Sequence, residues 1–268
     1  MRKIILSLLA SLLLLMAPLQ ADARDYLLLQ TTTSVDDSGL LAFILTAFTK
    51  DTGIKVKAVS LGSGLALAAA ARGEADALIT HSPALEKEYQ AKGLFSKREK
   101  LFWNEFVVVG PPTLQDQFTK FKNGQQAFGY IAKKKLLFFS RGDNSGTHNK
   151  ERDIWKKAKL DSNKFDHTWY KETGQGMGKT LQSAIAVNAI TMSDIATFAK
   201  SDVKNYVVLF RNDNMLRNDY SIITMNKEKF PNLDHEKAAK FFMWMLSPRG
   251  QAIAMDYKIN GKQMFFSY

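Results

Sequence analysis

The sequence contains no cysteine, which excludes a disulfide scaffold and a lipid anchor acylated on a cysteine at a new N-terminus. Metal-ligand spacing is missing as well: His81, His148, His167 and His235 are scattered and read as surface or loop residues. There is no internal repeat and no low-complexity tract. After the first two dozen residues no stretch is long and apolar enough to span a bilayer. Acidic residues are in deficit, 26 Asp and Glu against 37 Lys and Arg, for a formal charge of +11. Such an excess favours anionic partners. Nucleic acid is not expected among them, because no aromatic-basic binding motif is present. The lysine clusters Lys133-Lys134-Lys135 and Lys156-Lys157 read as solvated surface.

The N-terminus has the three parts of a secretory signal peptide. Arg2 and Lys3 are its positive end, residues 4–17 its apolar run, and Ala21-Asp22-Ala23 its cleavage site. Residues 1–23 are therefore expected to be removed, leaving about 245 residues from Arg24 onward, enough for one large domain or two lobes. With no cysteine to acylate, the mature chain is expected as an unanchored periplasmic monomer.

From Tyr26 onward, short apolar runs alternate with amphipathic stretches, which argues for an α/β fold. Residues 26–30 read as a strand broken by Thr31-Thr32-Thr33-Ser34. A helix follows with Leu40, Leu41, Ile44, Leu45 and Phe48 on one face, capped by Asp37 or Ser38. The unit recurs as a strand at 55–60, a turn at Leu61-Gly62-Ser63-Gly64 and an alanine-rich helix at 65–72, and the next strand is at 75–80. A strong β run at 105–109 ends at Gly110-Pro111-Pro112. A lobe crossover is expected there, with residues 24–108 and 219–268 in one lobe and 109–218 in the other. Further on, a strand at 135–140, a polar loop at 141–147 and a helix at 148–159 precede a second loop, 174–178, and a helix at 179–188. Residues 206–210 and 220–225 read as strands, and 236–246 as a helix with Phe241, Phe242 and Trp244 in its core.

Loops of glycine, serine and threonine thus repeatedly end strands and open helices. The first turn of a helix has unpaired N–H groups and the positive end of the helix dipole, so an oxyanion placed there gains hydrogen bonds without a metal. Hydroxyls add donors and small residues allow close approach. In Ser140-Arg141-Gly142-Asp143-Asn144-Ser145-Gly146-Thr147-His148 an arginine stands at the mouth of such a loop, where its planar fork can grip two oxygens.

These motifs resemble the TupA-type tungstate-binding protein family of bacterial ABC importers, class II periplasmic binding proteins. The matching segments are Thr31-Thr32-Thr33-Ser34 with Ser38-Gly39-Leu40-Leu41, then residues 140–151 (SRGDNSGTHNKE), then 173–181 (TGQGMGKTL). The resemblance implies a two-lobed α/β fold, each lobe a mostly parallel sheet flanked by helices. It implies an oxyanion surrounded by Thr33, Ser34, Gly62, Ser63, Arg141, Ser145, Gly146 and Thr147. Gln175, Gly176 and Met177 would line the cleft from the second lobe, and Thr32 and Asp143 would stand behind the first contacts, Asp143 orienting Arg141 or loop amides. Tungstate is the implied cargo and an inner-membrane ABC permease the implied partner, with no cofactor and no catalysis.

The Arg-x-x-x-Ser-Gly-Thr loop is shared with phosphate binders and does not by itself name the anion. Hydrogenphosphate needs an acceptor for its proton, and after the strand ending at Thr80 this chain reads His81-Ser82-Pro83-Ala84, with no carboxylate. The family's usual patterns are His-Asp-Pro there and Tyr-Thr-Leu-Thr-Asp where this chain has Ile190-Thr191-Met192-Ser193-Asp194, which leaves molybdate, sulfate and phosphate as alternatives. A secreted hydrolase with Ser145 as nucleophile and His148 as base is a rival of another class. Gly178-Lys179-Thr180 resembles the end of a P-loop, but the first glycine of that pattern would fall at Thr173.

Overall fold

In the computed structural model, which describes residues 24–268, strand and helix alternate from the start. The expected signal peptide lies outside the described residues. The first part of the chain runs β1 (Tyr26–Thr32), α1 (Thr33–Asp37), α2 (Leu40–Thr52), β2 (Lys55–Leu61), α3 (Ser63–Ala71), β3 (Ala77–Thr80), α4 (Pro83–Ala91) and β4 (Phe95–Gly110). The second part has α5 (Gln115–Phe118), α6 (Gly124–Lys134), β5 (Phe138–Ser140), α7 (Gly146–Lys157), β6 (Tyr170–Glu172), α8 (Met177–Ala186), β7 (Ile190–Asp194), α9 (Ile195–Lys200) and β8 (Val207–Phe210). The chain closes with β9 (Arg217–Met225), α10 (His235–Leu246), α11 (Pro248–Asp256) and the short pair β10 (Lys258–Ile259) and β11 (Lys262–Gln263).

The strands are ordered β2-β1-β3-β9-β4-β7-β5-β6, with β8 also on β4. Pairs β1–β2, β1–β3, β5–β6 and β5–β7 are parallel. The antiparallel pairs of this sheet all involve β4 or β9, the two strands that carry the chain between lobes. β4 pairs with β9 from Phe95 to Glu105 and with β7 from Phe106 onward. The change of partner therefore falls three residues before the 108/109 position at which the crossover is expected. β9 begins at Arg217, opposite Glu105.

Side-chain alternation along β4 explains why its last residues are all apolar. Val107 and Val109 point into the core that holds Leu29, Ile44, Phe48, Ile222 and Phe241. Phe106 and Val108 point into the core of the second lobe with Phe128, Phe138, Ile154 and Trp155. A strand buried on both faces has no polar side to show. Each such residue contributes about 1.5–3 kcal/mol by leaving water. Trp155 anchors the second core, its ring 4.5 Å from Phe128 and 5.5 Å from Phe138.

Two local expectations are corrected. Neither Asp37 nor Ser38 is the N-cap of α2: that residue is Gly39, at φ 83°, after the extra short helix α1 that the Thr-Thr-Ser run begins. His148 is neither a surface nor a loop residue but lies in α7 at 7% exposure, and His81 is in a loop as expected but buried, at 3% exposure.

Candidate functional site

Helices α1, α3 and α7 start at Thr33, Ser63 and Gly146, and α8 starts at Met177 after Gly176; the starts of these helices approach one another. Met177 N donates to Thr33 Oγ1 at 3.4 Å, joining the starts of α8 and α1. Thr147 Oγ1 lies 3.9 Å from Met177 Sδ. Ser63 Oγ accepts from His81 N at 3.4 Å. Glycine leaves room where the loops pass closest. A Cβ on Gly62 would sit 3.2 Å from both Asp143 Oδ2 and Ser145 Cβ, and one on Gly146 would sit 2.6 Å from the His81 carbonyl.

Arg141 follows β5 and is 2% exposed. Its Nη2 donates to Asp143 Oδ2 at 2.5 Å, and Asp143 Oδ1 accepts from Ser145 N at 3.1 Å, so one carboxylate aligns both the guanidinium and the start of α7. Arg141 Nε and Nη1 are buried without a hydrogen-bond partner. A buried donor left in this way costs about 1–3 kcal/mol, more when charged.

Three of the expected hydroxyls accept a hydrogen bond and give none among the described residues. Thr33, Ser63 and Ser145 each accept from a backbone N–H, of Met177, His81 and His148 respectively, and the proton of each remains available. Unpaired N–H groups in the first turns add to this set. Of the expected residues, Thr32, Ser34, Gly62, Ser63, Arg141, Ser145, Gly146, Thr147 and Met177 are buried, and Thr33, Asp143 and Gly176 are half-buried. Gln175 stands apart: it is exposed, and its backbone bonds go to Thr173 of its own loop and Thr180 of α8.

The hydrolase reading fails on geometry. The Ser145 hydroxyl caps α7 by accepting from His148 N at 3.2 Å, while His148 Nδ1 accepts from Asn144 N at 3.0 Å. The imidazole is therefore not paired with the serine, and a nucleophile needs that pairing to be activated.

A buried polar cluster behind Ser34 was not legible in the sequence. His81 Nδ1 lies 2.7 Å from Asn218 Oδ1 and its Nε2 3.2 Å from Ser34 Oγ, and its ring stacks on Tyr220. Burial pushes the His81 pKa down to about 4, so the ring is neutral. Burial also raises Asp194 to about 6, although Thr197, Asn104 and Ala196 all donate to it. Beneath the Arg141 loop, burial raises Glu151 to about 7 while Trp155 Nε1 and Tyr170 OH donate to it. Glu86 supplies a carboxylate near His81-Ser82-Pro83 that the local sequence did not show, but Arg98, Thr80 and Ser82 N occupy it.

Comparison with known proteins sets this geometry in a family. The PBP superfamily domain matches residues 17–249. The tungstate-binding protein TupA of Peptoclostridium acidaminophilum is 36% identical over 92% of this chain and 85% of its own length. The TupA of Campylobacter jejuni is 34% identical over 87% of each chain. Among solved structures, the tungstate ABC transporter protein of Geobacter sulfurreducens superposes with a TM-score of 0.79 at 36% identity, covering 88% of this chain and all of its own. TupA of Desulfovibrio alaskensis gives 0.75 at 36% identity, over 91% and 98%. The chain belongs to the PBP superfamily and, within it, to the family of TupA-type tungstate-binding proteins.

Proposed function

We propose that this protein captures tungstate between its two lobes in the periplasm and delivers it, as a monomer, to an inner-membrane ABC permease. The observation that carries the anion site is the buried Arg141 guanidinium, whose Nε and Nη1 have no protein partner and which stands where the helix starts converge. Relatives named for tungstate at 34–36% identity support the choice of cargo. No helix among the described residues is long and apolar enough to cross a membrane.

On this reading Arg141 supplies charge and a two-pronged grip, and Thr33, Ser63 and Ser145 supply hydroxyl protons. Ser34, Gly62, Gly146 and Thr147 complete the wall, with Gly176 and Met177 at the start of α8 and Thr32 and Asp143 behind. Charge-assisted hydrogen bonds of about 1.5–3 kcal/mol each offset an association cost of about 4–15 kcal/mol when several form together. Tungstate offers only acceptors, which suits a site built of donors. We place the lobe boundary where β4 changes partner, between Glu105 and Phe106, with the return at β9.

Titration calorimetry of the ligand-free mature protein against tungstate, molybdate, sulfate and phosphate tests the proposal. Tungstate is expected to bind in the nanomolar range and phosphate far more weakly. Phosphate as the tightest ligand would overturn it.

A further inference from the structure

The cluster behind Ser34 has a direction that one group dictates. Above its pKa of about 6, Asp194 is a carboxylate and only accepts. Asn104 therefore presents its Nδ2 to Asp194 Oδ1, at 3.2 Å, which leaves Asn104 Oδ1 to accept from Asn218 Nδ2 at 2.8 Å. With its amide nitrogen so engaged, and also donating to Tyr220 OH at 3.0 Å, Asn218 can offer His81 only a carbonyl oxygen. His81 must carry its proton on Nδ1, and its Nε2 is a bare lone pair.

That lone pair faces Ser34 Oγ at 3.2 Å, so the serine donates its proton to the histidine. The two lone pairs of Ser34 Oγ accept from Thr32 Oγ1 at 3.1 Å and from Tyr220 OH at 3.3 Å. Every hydrogen-bonding position of this hydroxyl is thus filled from within the protein. The contrast with Thr33, Ser63 and Ser145, whose protons remain available, is chemical rather than positional.

We propose that Ser34 is a specificity-determining residue: held by an Asn218-fixed His81 tautomer, its hydroxyl plugs the one imidazole lone pair that would otherwise accept the proton of a hydrogenated oxyanion. This rests on the oxyanion reading of the site. Asn104 and Asn218 are positioning residues that act through His81. The site wall then offers a guest no free acceptor on this side, which excludes hydrogenphosphate in favour of a fully deprotonated anion.

The tautomer is read by ¹⁵N NMR of the imidazole in the ligand-free mature protein at pH 7.5, so this result is independent of which anion binds. A protonated Nδ1 and a bare Nε2 at His81 are expected, and a protonated Nε2 overturns the proposal. In Asn218→Leu the His81 proton is expected to move wholly or partly to Nε2, and an unchanged tautomer overturns the role of Asn218. Ser34→Ala bares the lone pair, and the ratio of phosphate to tungstate affinity is expected to rise about tenfold, the worth of one hydrogen bond. An unchanged or lower ratio overturns the specificity role. Failure of wild-type protein to bind any of the four anions would instead overturn the function proposed above and leave the tautomer result standing.

Discussion

Gly178, in the first turn of α8, donates its backbone N–H to the Asp37 carboxylate at 2.8 Å, bridging the two lobes. Asp37 is placed to do so because α1 ends there and Gly39 takes over as the cap of the next helix. A carboxylate at a helix N-terminus is favourable both as an acceptor and against the dipole.

Asp37→Ala removes a contact that exists only while the lobes are together. Anion affinity is expected to fall about 3- to 10-fold, corresponding to the ~1 kcal/mol net worth of one such bond. The melting temperature of the ligand-free protein is expected to stay within about 2 °C, since the residue packs into no core. Calorimetry and thermal melts of one preparation check both halves.

Gly146→Ala tests the close approach of the loops from the opposite direction. The added Cβ meets backbone, the His81 carbonyl at 2.6 Å, and also the His81 ring at 2.9 Å, so neither neighbour can simply swing aside. Closing around an anion is expected to become at least about tenfold less favourable, within the ~1–3 kcal/mol typical of overpacking. Wild-type affinity in this variant would mean that the loops approach less closely in solution.

The pH dependence of stability carries the signature of Glu151. Its folded pKa of about 7 lies above the ordinary carboxyl value of 4.5, so the folded state binds its proton more tightly than the unfolded state does. The stability it contributes is present below pH 4.5 and is lost as pH rises through 7. His81, lowered to about 4 from 6.5, works the other way: its contribution is present above pH 6.5 and falls away as pH drops toward 4. Glu151→Gln mimics the protonated acid, so its stability relative to wild type is expected to be higher at pH 8 than at pH 5. Denaturant melts at the two pH values measure the difference, and an equal offset at both would contradict the assignment.

The parts of the site that were legible in the sequence share a local signal. Loops 31–34, 61–64 and 141–147 combine glycine or hydroxyl residues with a strand before and a helix after, and the first-turn physics follows from that order alone. Arg141 was legible because a cation at such a loop has few other uses. The Asp194–Asn104–Asn218–His81 relay has no such signal: its members lie on β7, β4, β9 and the turn after β3, and they become neighbours only when the crossover strands pair. The N-terminal half of β4 was missed because Ser96-Lys97-Arg98-Glu99-Lys100 reads as polar. Its register with β9 is irregular on both sides of that run, and Arg98 is drawn to the buried Glu86 of α4. Ser145 and His148 looked like a nucleophile and a base because they are close in sequence, yet the helix they open turns the serine toward a backbone N–H.

The central claim is that the unpartnered edge of Arg141 is the charged grip on the anion. Calorimetry of tungstate binding to wild type, Arg141→Lys and Arg141→Ala tests it most directly. Loss of the guanidinium is expected to weaken binding by about 2–5 kcal/mol in the alanine variant, the usual consequence of truncating one partner of a buried charge pair. The lysine variant is expected to fall between, because an ammonium keeps the charge without the planar fork. An alanine variant that binds tungstate as tightly as wild type would contradict the account.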